Sequence, residues 1–299
     1  MTRRVPRPLT GPPVALDRYR PSIPRAVADA WHDRYVLPWL SLRVVAKGFA
    51  GTRLGRLWLI LRPALELSGM AVLFGAVFNA PSDGLPYVMF LLSGQAAWRF
   101  FQISVLFGAR SIQYYRRHAS TISFSPLLVP IGATAIALMD LAIYGTILAG
   151  TIVFYAITDH NYLVLGPQLL LAPVSLMLIL LLGWGFTFWL SIIVAYVLDV
   201  RVFLRYALQF WMLITPVLYP LSFVPAKLHT LALINPVTPY VELFKWSLFG
   251  RSEVPMTSLY AALATTAVLV VGGVWFHTRM FDGALRAMLR IGDDDDGYG

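Results

Sequence analysis

Long apolar runs alternate with short polar segments along most of this chain. Helix needs about 20 residues to cross a bilayer core, and a run well below that length packs inside a protein or lies at a surface. By this measure the pattern predicts an all-α integral membrane protein with six spans. They lie at about 63–78, 85–108, 126–157, 163–198, 202–219 and 258–276.

The run at 163–198 contains no charged residue and is long enough to raise the question of two crossings. A fold-back at Gly183-Trp184-Gly185 would leave too short a second leg and would move Arg201 and Arg205 outside. We therefore predict one crossing, preceded by an outer-surface piece around Pro167 and Pro173. The run at 126–157 is likewise predicted to form one long helix that projects into the cytosol.

Apolar residues recur every three or four positions just before the first span. Such spacing is typical of an amphipathic helix, here kinked or started by Pro38. We expect residues 31–52 to lie along the inner membrane surface; an ordinary surface helix packed on protein is the alternative. The apolar positions are Trp31, Tyr35, Trp39, Leu42, Val45 and Phe49.

The segment after the fifth span is apolar but broken. Pro216, Pro220 and Pro225 interrupt it, and His229, Glu242 and Lys245 follow in the next apolar stretch. A pair of short re-entrant helices entering the outer leaflet would satisfy both features. The alternative is a helix lying flat on the outer surface.

Positive residues mark the sides of the membrane. The stretches 1–62, 110–117, 201–205 and 279–290 hold twelve, three, two and three of the 24 Lys and Arg residues. The segments between them hold only Lys227, Lys245 and Arg251, and Arg99 lies within a span. Because cytoplasmic loops retain Lys and Arg, both termini are predicted to be cytoplasmic in a multi-pass protein of a bacterial inner or plasma membrane.

The ends of the chain complete the domain organisation. Residues 1–30 are rich in Pro and Arg and are expected to form a flexible cytosolic tail. Residues 31–52 form the interfacial helix, 53–280 the six-span domain, and 281–299 a cytosolic helix with an acidic tail.

Composition excludes other classes of protein. Hydrophobic residues make up 58% of the 299 residues and charged residues 13%, which does not suit a soluble globular domain. The net charge of +9 follows the topology signals, so nucleic-acid binding is not expected.

No catalytic or phosphate-binding motif occurs in the sequence. There is no GxxxxGK[ST] loop, HExxH or GxSxG pattern, the five His residues are scattered, and Cys is absent. We therefore expect no catalytic residue, metal site or cofactor on this chain.

Ionisable residues inside spans are costly and are usually paired or face water. We expect Arg99 and Asp140 each to face a partner charge or a conduit, and Glu66 to reach the inner interface. Aromatic residues concentrate in the first, second and fifth spans and in the outer segment, where they either anchor the protein in lipid or line a passage for sugars. The conduit candidates are Phe74, Phe78, Trp98, Arg99, Phe101, Trp211, Tyr219 and Phe223.

Two motifs resemble one family of transporters. Leu54, Gly55, Trp58 and Pro63 form a Leu-Gly-x-x-Trp-x-x-x-x-Pro stretch, and Asn235-Pro236 follows the fifth span. The spacing of these two motifs and the order of the spans are similar to those of one family. From about residue 31 to 290 the chain resembles the membrane subunit of ABC exporters for O-antigen, teichoic acid, galactan and related lipid-linked polysaccharides.

The resemblance implies a homodimer that binds two copies of a cytosolic ATPase, which would hold ATP and Mg, with the lipid-linked polysaccharide passing between the subunits. It implies a substrate entrance at Arg53, Leu54, Gly55 and Arg56. It also implies ATPase contacts at Trp31, Tyr35, Trp39, Arg43, Lys47, Tyr114, Arg116 and Arg117. The expected function is ATP-driven export of a lipid-linked polysaccharide. Export of drugs or lipids, and a membrane-embedded glycosyltransferase or acyltransferase, are the alternatives.

Overall fold

A computed structural model describes residues 22–41, 57–115, 124–158 and 162–296 of the chain. Every regular element in these ranges is helical, with no β-strand. The bulk of the fold is a bundle in which consecutive long helices run in opposite directions, as short connections between apolar helices require.

The helices are numbered here in chain order. They are α1 (Ile23–His32), α2 (Trp58–Met70), α3 (Tyr87–Ala109), α4 (Ser111–Tyr115), α5 (Leu128–Ala133), α6 (Ala135–Thr158), α7 (Leu171–Tyr196), α8 (Asp199–Ile214), α9 (Ala226–Ile234), α10 (Thr238–Phe249) and α11 (Met256–Asp296). A π-helix, Ala71–Val77, continues α2, and 3-10 turns cover Asp33–Val36, Pro167–Leu170 and Leu221–Phe223.

Three stretches combine the length and the apolarity needed to cross a membrane: Leu128–Thr158, Pro167–Tyr196 and Met256–Leu289. Pro63–Val77 is a shorter apolar helix. The multi-pass character is therefore confirmed, whereas the count of six crossings stays a prediction. A helix nevertheless occupies each of the six predicted positions.

The fourth predicted span is a single helix. Residues Leu171–Tyr196 are continuous through Gly183-Trp184-Gly185, so the chain does not fold back there. The third predicted span is interrupted instead of continuous, because Thr134 separates α5 from α6.

One end of the bundle gathers the segments predicted to lie outside the membrane. The backbone N–H of Val164 donates to the carbonyl of Leu248 at 2.9 Å. Arg251 donates to the carbonyl of Gly84 and lies over the ring of Tyr162. The three loops that carry few positive residues therefore meet at this end.

The opposite end gathers the basic segments. The backbone N–H of Ser125 donates to Asp33 at 2.8 Å, and Arg201 donates to Gln113 at 3.5 Å. Ile112, Ile192 and Phe281 share a buried apolar cluster there. The alternation of charge along the sequence thus corresponds to two separate ends of the fold.

The N-terminal boundary differs from the prediction. A helix begins at Ile23, inside the segment expected to be a tail, because Ala26 and Ala30 pack into a buried cluster with Leu127 and Val274. The predicted apolar positions Trp31 and Tyr35 are exposed, so the contacts to the bundle come instead from buried Ala26 and Ala30 and from partly buried Ile23.

Candidate functional site

A cluster of charges lies at the middle of α3. Arg99 donates from Nε to Asp140 at 3.3 Å and from Nη1 to Glu66 at 3.2 Å. The hydroxyl of Tyr144 donates to the same Glu66 oxygen at 3.4 Å. The cluster therefore joins three helices, α2, α3 and α6, through one guanidinium.

The cluster confirms one expectation and corrects another. Arg99 and Asp140 were each expected to face a partner charge or a conduit, and they are partners of each other. Glu66 was expected to reach the inner interface, but its carboxylate turns to Arg99 instead, because a guanidinium offers several donors in one plane. The side chains of Arg99, Asp140 and Glu66 remain 12%, 16% and 36% exposed, so the cluster is open on the α2 side.

The predicted conduit aromatics fall into two groups. Trp98 and Phe101 are fully buried, with Trp211 against both rings at centroid distances of 6.3 and 5.4 Å. Trp211 makes edge-to-face contacts with Trp98, Phe101 and Phe186, and Phe101 makes another with Phe186, an arrangement that stabilises a core. Trp98 and Phe101 thus hold α3 in the bundle and do not face a passage in this conformation.

The other predicted aromatics lie near the surface. The rings of Phe74, in the π-helix, and Phe78, just after it, are tilted against each other with centroids 5.9 Å apart, and Phe78 is exposed. Phe223 is exposed as well, and Tyr219 donates to the carbonyl of Leu213. Large apolar side chains are also exposed along one side of α8: Val202, Phe203, Tyr206, Phe210 and Leu213. Apolar faces on α2 and α8 are therefore available to another surface, as are others on α6, α7 and α11.

A second pair of charges, which the sequence did not reveal, is buried in the outer helix pair. Lys245 and Glu242 are 0% and 1% exposed and lie 3.1 Å apart. The Lys245 ammonium also donates to the carbonyl of Pro216 at 2.6 Å and lies 4.0 Å from the centre of the Phe90 ring. In the sequence, the only sign of this ion pair was that Glu242 and Lys245 lie three positions apart in an apolar helix. Exposed ion pairs on helices have the same spacing.

Asn235 of the Asn-Pro motif connects α8 to the outer pair. Its amide nitrogen donates to Thr215 at 2.8 Å, and its oxygen accepts from the indole of Trp211 at 3.0 Å and from the backbone N–H of Val237 at 3.1 Å. A single buried side chain thus links the end of α8 to the segment between α9 and α10. The predicted pair of short helices is present, and whether it enters a membrane stays a prediction.

The expected ATPase contacts are only partly described. Trp31 and Tyr35 are exposed, and the guanidinium of Arg34 lies over the indole of Trp31 at 4.6 Å. Trp39 and Tyr114 are half-buried at the same end of the fold. The remaining predicted contacts and the entrance lie outside the described residues: Arg43, Lys47, Arg116, Arg117, Arg53, Leu54, Gly55 and Arg56.

Comparison with known proteins supports the resemblance. No protein-family profile matches the chain. The O-antigen export system permease protein RfbA of Myxococcus xanthus is 26% identical over 261 residues, which are 86% of this chain and 95% of that protein. Polysialic acid transport protein KpsM of Escherichia coli is 25% identical over 80% of this chain and 92% of its own length. The similarity that the motifs predicted is confirmed: the chain is similar to an O-antigen export permease and to a polysialic acid transport protein.

Proposed function

We propose that this chain is the transmembrane subunit of an ATP-driven exporter that moves a lipid-linked polysaccharide from the cytoplasmic to the outer face of a bacterial inner membrane. The observation that carries the proposal is the extent of the similarity to an O-antigen export permease, which covers 95% of that relative. Similarity limited to one or two membrane-spanning segments would not extend over 95% of the relative.

The two-ended fold supports the direction of transport. The basic end, which contains α1 and the α4 region, would face the cytosol, where a partner ATPase would bind Trp31, Tyr35 and the α4 region. The opposite end, which carries the buried Lys245–Glu242 pair, would face outward. A separate ATPase is required by this mechanism, because the sequence holds no phosphate-cradling loop.

In this proposal the glycan passes between two copies of the chain and not through the interior of one. In the part of the subunit that the structure describes, buried rings such as Trp98 and Phe101 fill the interior, and a hydrated glycan would have to displace them. The exposed faces of α2 and α8 would therefore form the walls of a passage at a dimer interface. The partly exposed Arg99 cluster lies next to α2, where a charge is expected to face water or protein and not lipid.

Depletion of the chain in its native host tests the proposal. A lipid-linked glycan should accumulate on the cytoplasmic side, and re-expression of the wild-type chain should clear it. Depletion of the partner ATPase should give the same glycan. Normal surface glycan after depletion of the chain would contradict the proposed function.

A further inference from the structure

Two consecutive residues at the basic end of the fold are held from two different helices. The backbone N–H of Ser125 donates to a carboxylate oxygen of Asp33, directly after α1, at 2.8 Å. The carbonyl oxygen of Pro126, the next residue, lies 3.3 Å from Nε2 of His277 in α11. We refer to Asp33 and His277 as the clamp. Both backbone groups lie just before α5, so the clamp fixes the chain where it enters the bundle.

The imidazole of His277 is completely buried and connects two elements. Because a carbonyl oxygen can only accept, Nε2 carries the hydrogen and donates to Pro126. Nδ1 then accepts from the hydroxyl of Ser191 in α7, at 3.1 Å. The rings of Phe188 and Phe281 lie against the imidazole at centroid distances of 5.9 and 5.4 Å. The ring therefore binds α7 with one nitrogen and the entry of α5 with the other.

The two helices that carry His277 and its serine partner are packed closely together. An ideal Cβ on Gly185 of α7 would lie only 2.8 Å from the side chain of Leu269 in α11. The rings of Trp189 and Phe276 stack on each other with centroids 4.6 Å apart. Because close-packed interiors transmit displacement instead of absorbing it, α7 and α11 should move as one rigid pair.

Helix α1 is joined to the same pair. Its buried alanines share an apolar cluster with Phe188 of α7 and Val274 of α11. Exposed Trp31, an expected ATPase contact, lies on this helix two residues before Asp33. A displacement of the exposed side of α1 would therefore reach the backbone at Ser125 through one carboxylate.

We propose that Asp33 and His277 are positioning residues that join α1, the chain at Ser125-Pro126 and the α7–α11 pair into one mechanical unit. This inference rests on the proposed function, since the displacement to be transmitted is that of a partner ATPase. Residues Arg116 and Arg117, which were predicted to contact the ATPase, precede Ser125 in the sequence. Without the clamp, the chain at Ser125-Pro126 would yield and the displacement would not reach α7 and α11.

Distances between spin labels test whether this unit is rigid. The chain contains no native Cys, so labels can be placed on Cys substituted at exposed Val27 of α1 and exposed Tyr260 near the outer end of α11. Dilution with unlabelled chains in nanodiscs isolates distances within one subunit. In the complex with its ATPase, the distance should keep a single narrow population with and without ATP and vanadate. A distance that changes on trapping would overturn the proposal.

Amide variants separate the contacts of the clamp. Gln at 277 places its amide nitrogen near the position of Nε2 and can still donate to Pro126, whereas the shorter Asn reaches only toward Ser191. His277→Asn and Asp33→Ala should each raise the fraction of molecules outside the main Val27–Tyr260 distance about three- to tenfold on trapping. His277→Gln and Asp33→Asn keep a hydrogen-bonding group for the backbone and should behave like wild type.

Thr278→Val is the matched control. Thr278 is buried beside His277, and its hydroxyl donates to the carbonyl of Val274 in its own helix at 2.8 Å. This variant loses a buried hydrogen bond but no contact between elements, so it should leave the distribution unchanged. Equal distributions in Thr278→Val, His277→Asn and Asp33→Ala would overturn the role of the clamp.

Export measured against ATP hydrolysis separates transmission from folding. In the depleted host, Asp33→Ala and His277→Asn should restore about three- to tenfold less surface glycan than wild type, while ATP hydrolysis per purified complex stays within about twofold. Wild-type export, or a parallel loss of export and hydrolysis, would overturn the proposal. Because the label distances need no glycan, failure of this inference is separate from failure of the depletion test.

Discussion

Replacement of Lys245 by Met is expected to destabilise the outer end of the protein more than any other single change to a charge in the described residues. The Lys245 side chain is completely buried and holds both Glu242, at 3.1 Å, and the carbonyl of Pro216, at 2.6 Å. Met fills a similar volume, so packing against Phe90 changes little.

The magnitude follows from the charge left behind. Glu242 is 1% exposed, and removal of one partner of a buried ion pair costs about 3–5 kcal/mol, because the other charge stays in the interior without compensation. In the double variant Lys245→Met with Glu242→Gln no charge remains, and the loss is limited to unsatisfied neutral groups, about 1–3 kcal/mol. The double variant should therefore be more stable than the Lys245→Met single variant by about 2 kcal/mol.

Unfolding of the purified protein in mixed micelles, followed by circular dichroism as SDS is added, measures these differences. Lys227→Met is the matched control, because Lys227 is an exposed residue of the same helix pair and should leave the midpoint unchanged. The reasoning is refuted if Lys245→Met unfolds at the wild-type midpoint, or if the double variant is as unstable as the single variant.

Three further predictions follow from close contacts, charge and sidedness. Gly94→Ala places a Cβ 2.7 Å from a backbone carbonyl oxygen and should lower the free energy of unfolding by about 1–3 kcal/mol. Gly145→Ala meets open space and should raise the free energy of unfolding by up to about 1 kcal/mol. Thermal unfolding compares the two variants, and equal shifts of the melting temperature would contradict the packing argument. Arg99→Leu removes the guanidinium that both Asp140 and the partly exposed Glu66 bind, so it should cost about 1–3 kcal/mol and lower export; unchanged stability and export would show that the cluster is dispensable. A single Cys at Tyr114 should be shielded from an impermeant reagent applied outside cells and one at Thr230 should react; the opposite labelling would reverse the topology.

Much of the architecture was accessible from the sequence. Apolar runs located the long helices, since burial of a spanning helix requires a nearly continuous apolar stretch. The decision for one helix at 163–198 was correct, because no charged residue or proline interrupts Leu171–Tyr196 beyond its first turn and the helix tolerates Gly183 and Gly185. The charge pattern also distinguished the two ends of the bundle. Arg251 contacts Gly84 at one end, and Ser125 contacts Asp33 at the other.

The candidate site was less accessible. Aromatic composition suggested Trp98 and Phe101 as conduit residues, but an aromatic ring has the same sequence signature whether it faces a sugar, a lipid or another ring. Their burial against Trp211 and Phe186 was decided by how α3, α7 and α8 cross. The helix at Ile23–His32 was missed for a related reason, because the residues that it buries, Ala26 and Ala30, carry little hydrophobic signal.

The sequence alone determined that this protein is helical, membrane-embedded, two-sided in charge and similar to polysaccharide exporters, since hydropathy, positive charge and short motifs are local properties of the chain. Only the tertiary structure decided which charges meet. Glu66 lies 33 positions from Arg99, and Arg99 lies 41 from Asp140, so their convergence depends on the relative rotation of three helices. Lys245 reaches Pro216 across 29 positions for the same reason. Hydropathy fixes which residues enter the bundle, but the angle at which the helices pack fixes which of the few polar groups inside it become partners.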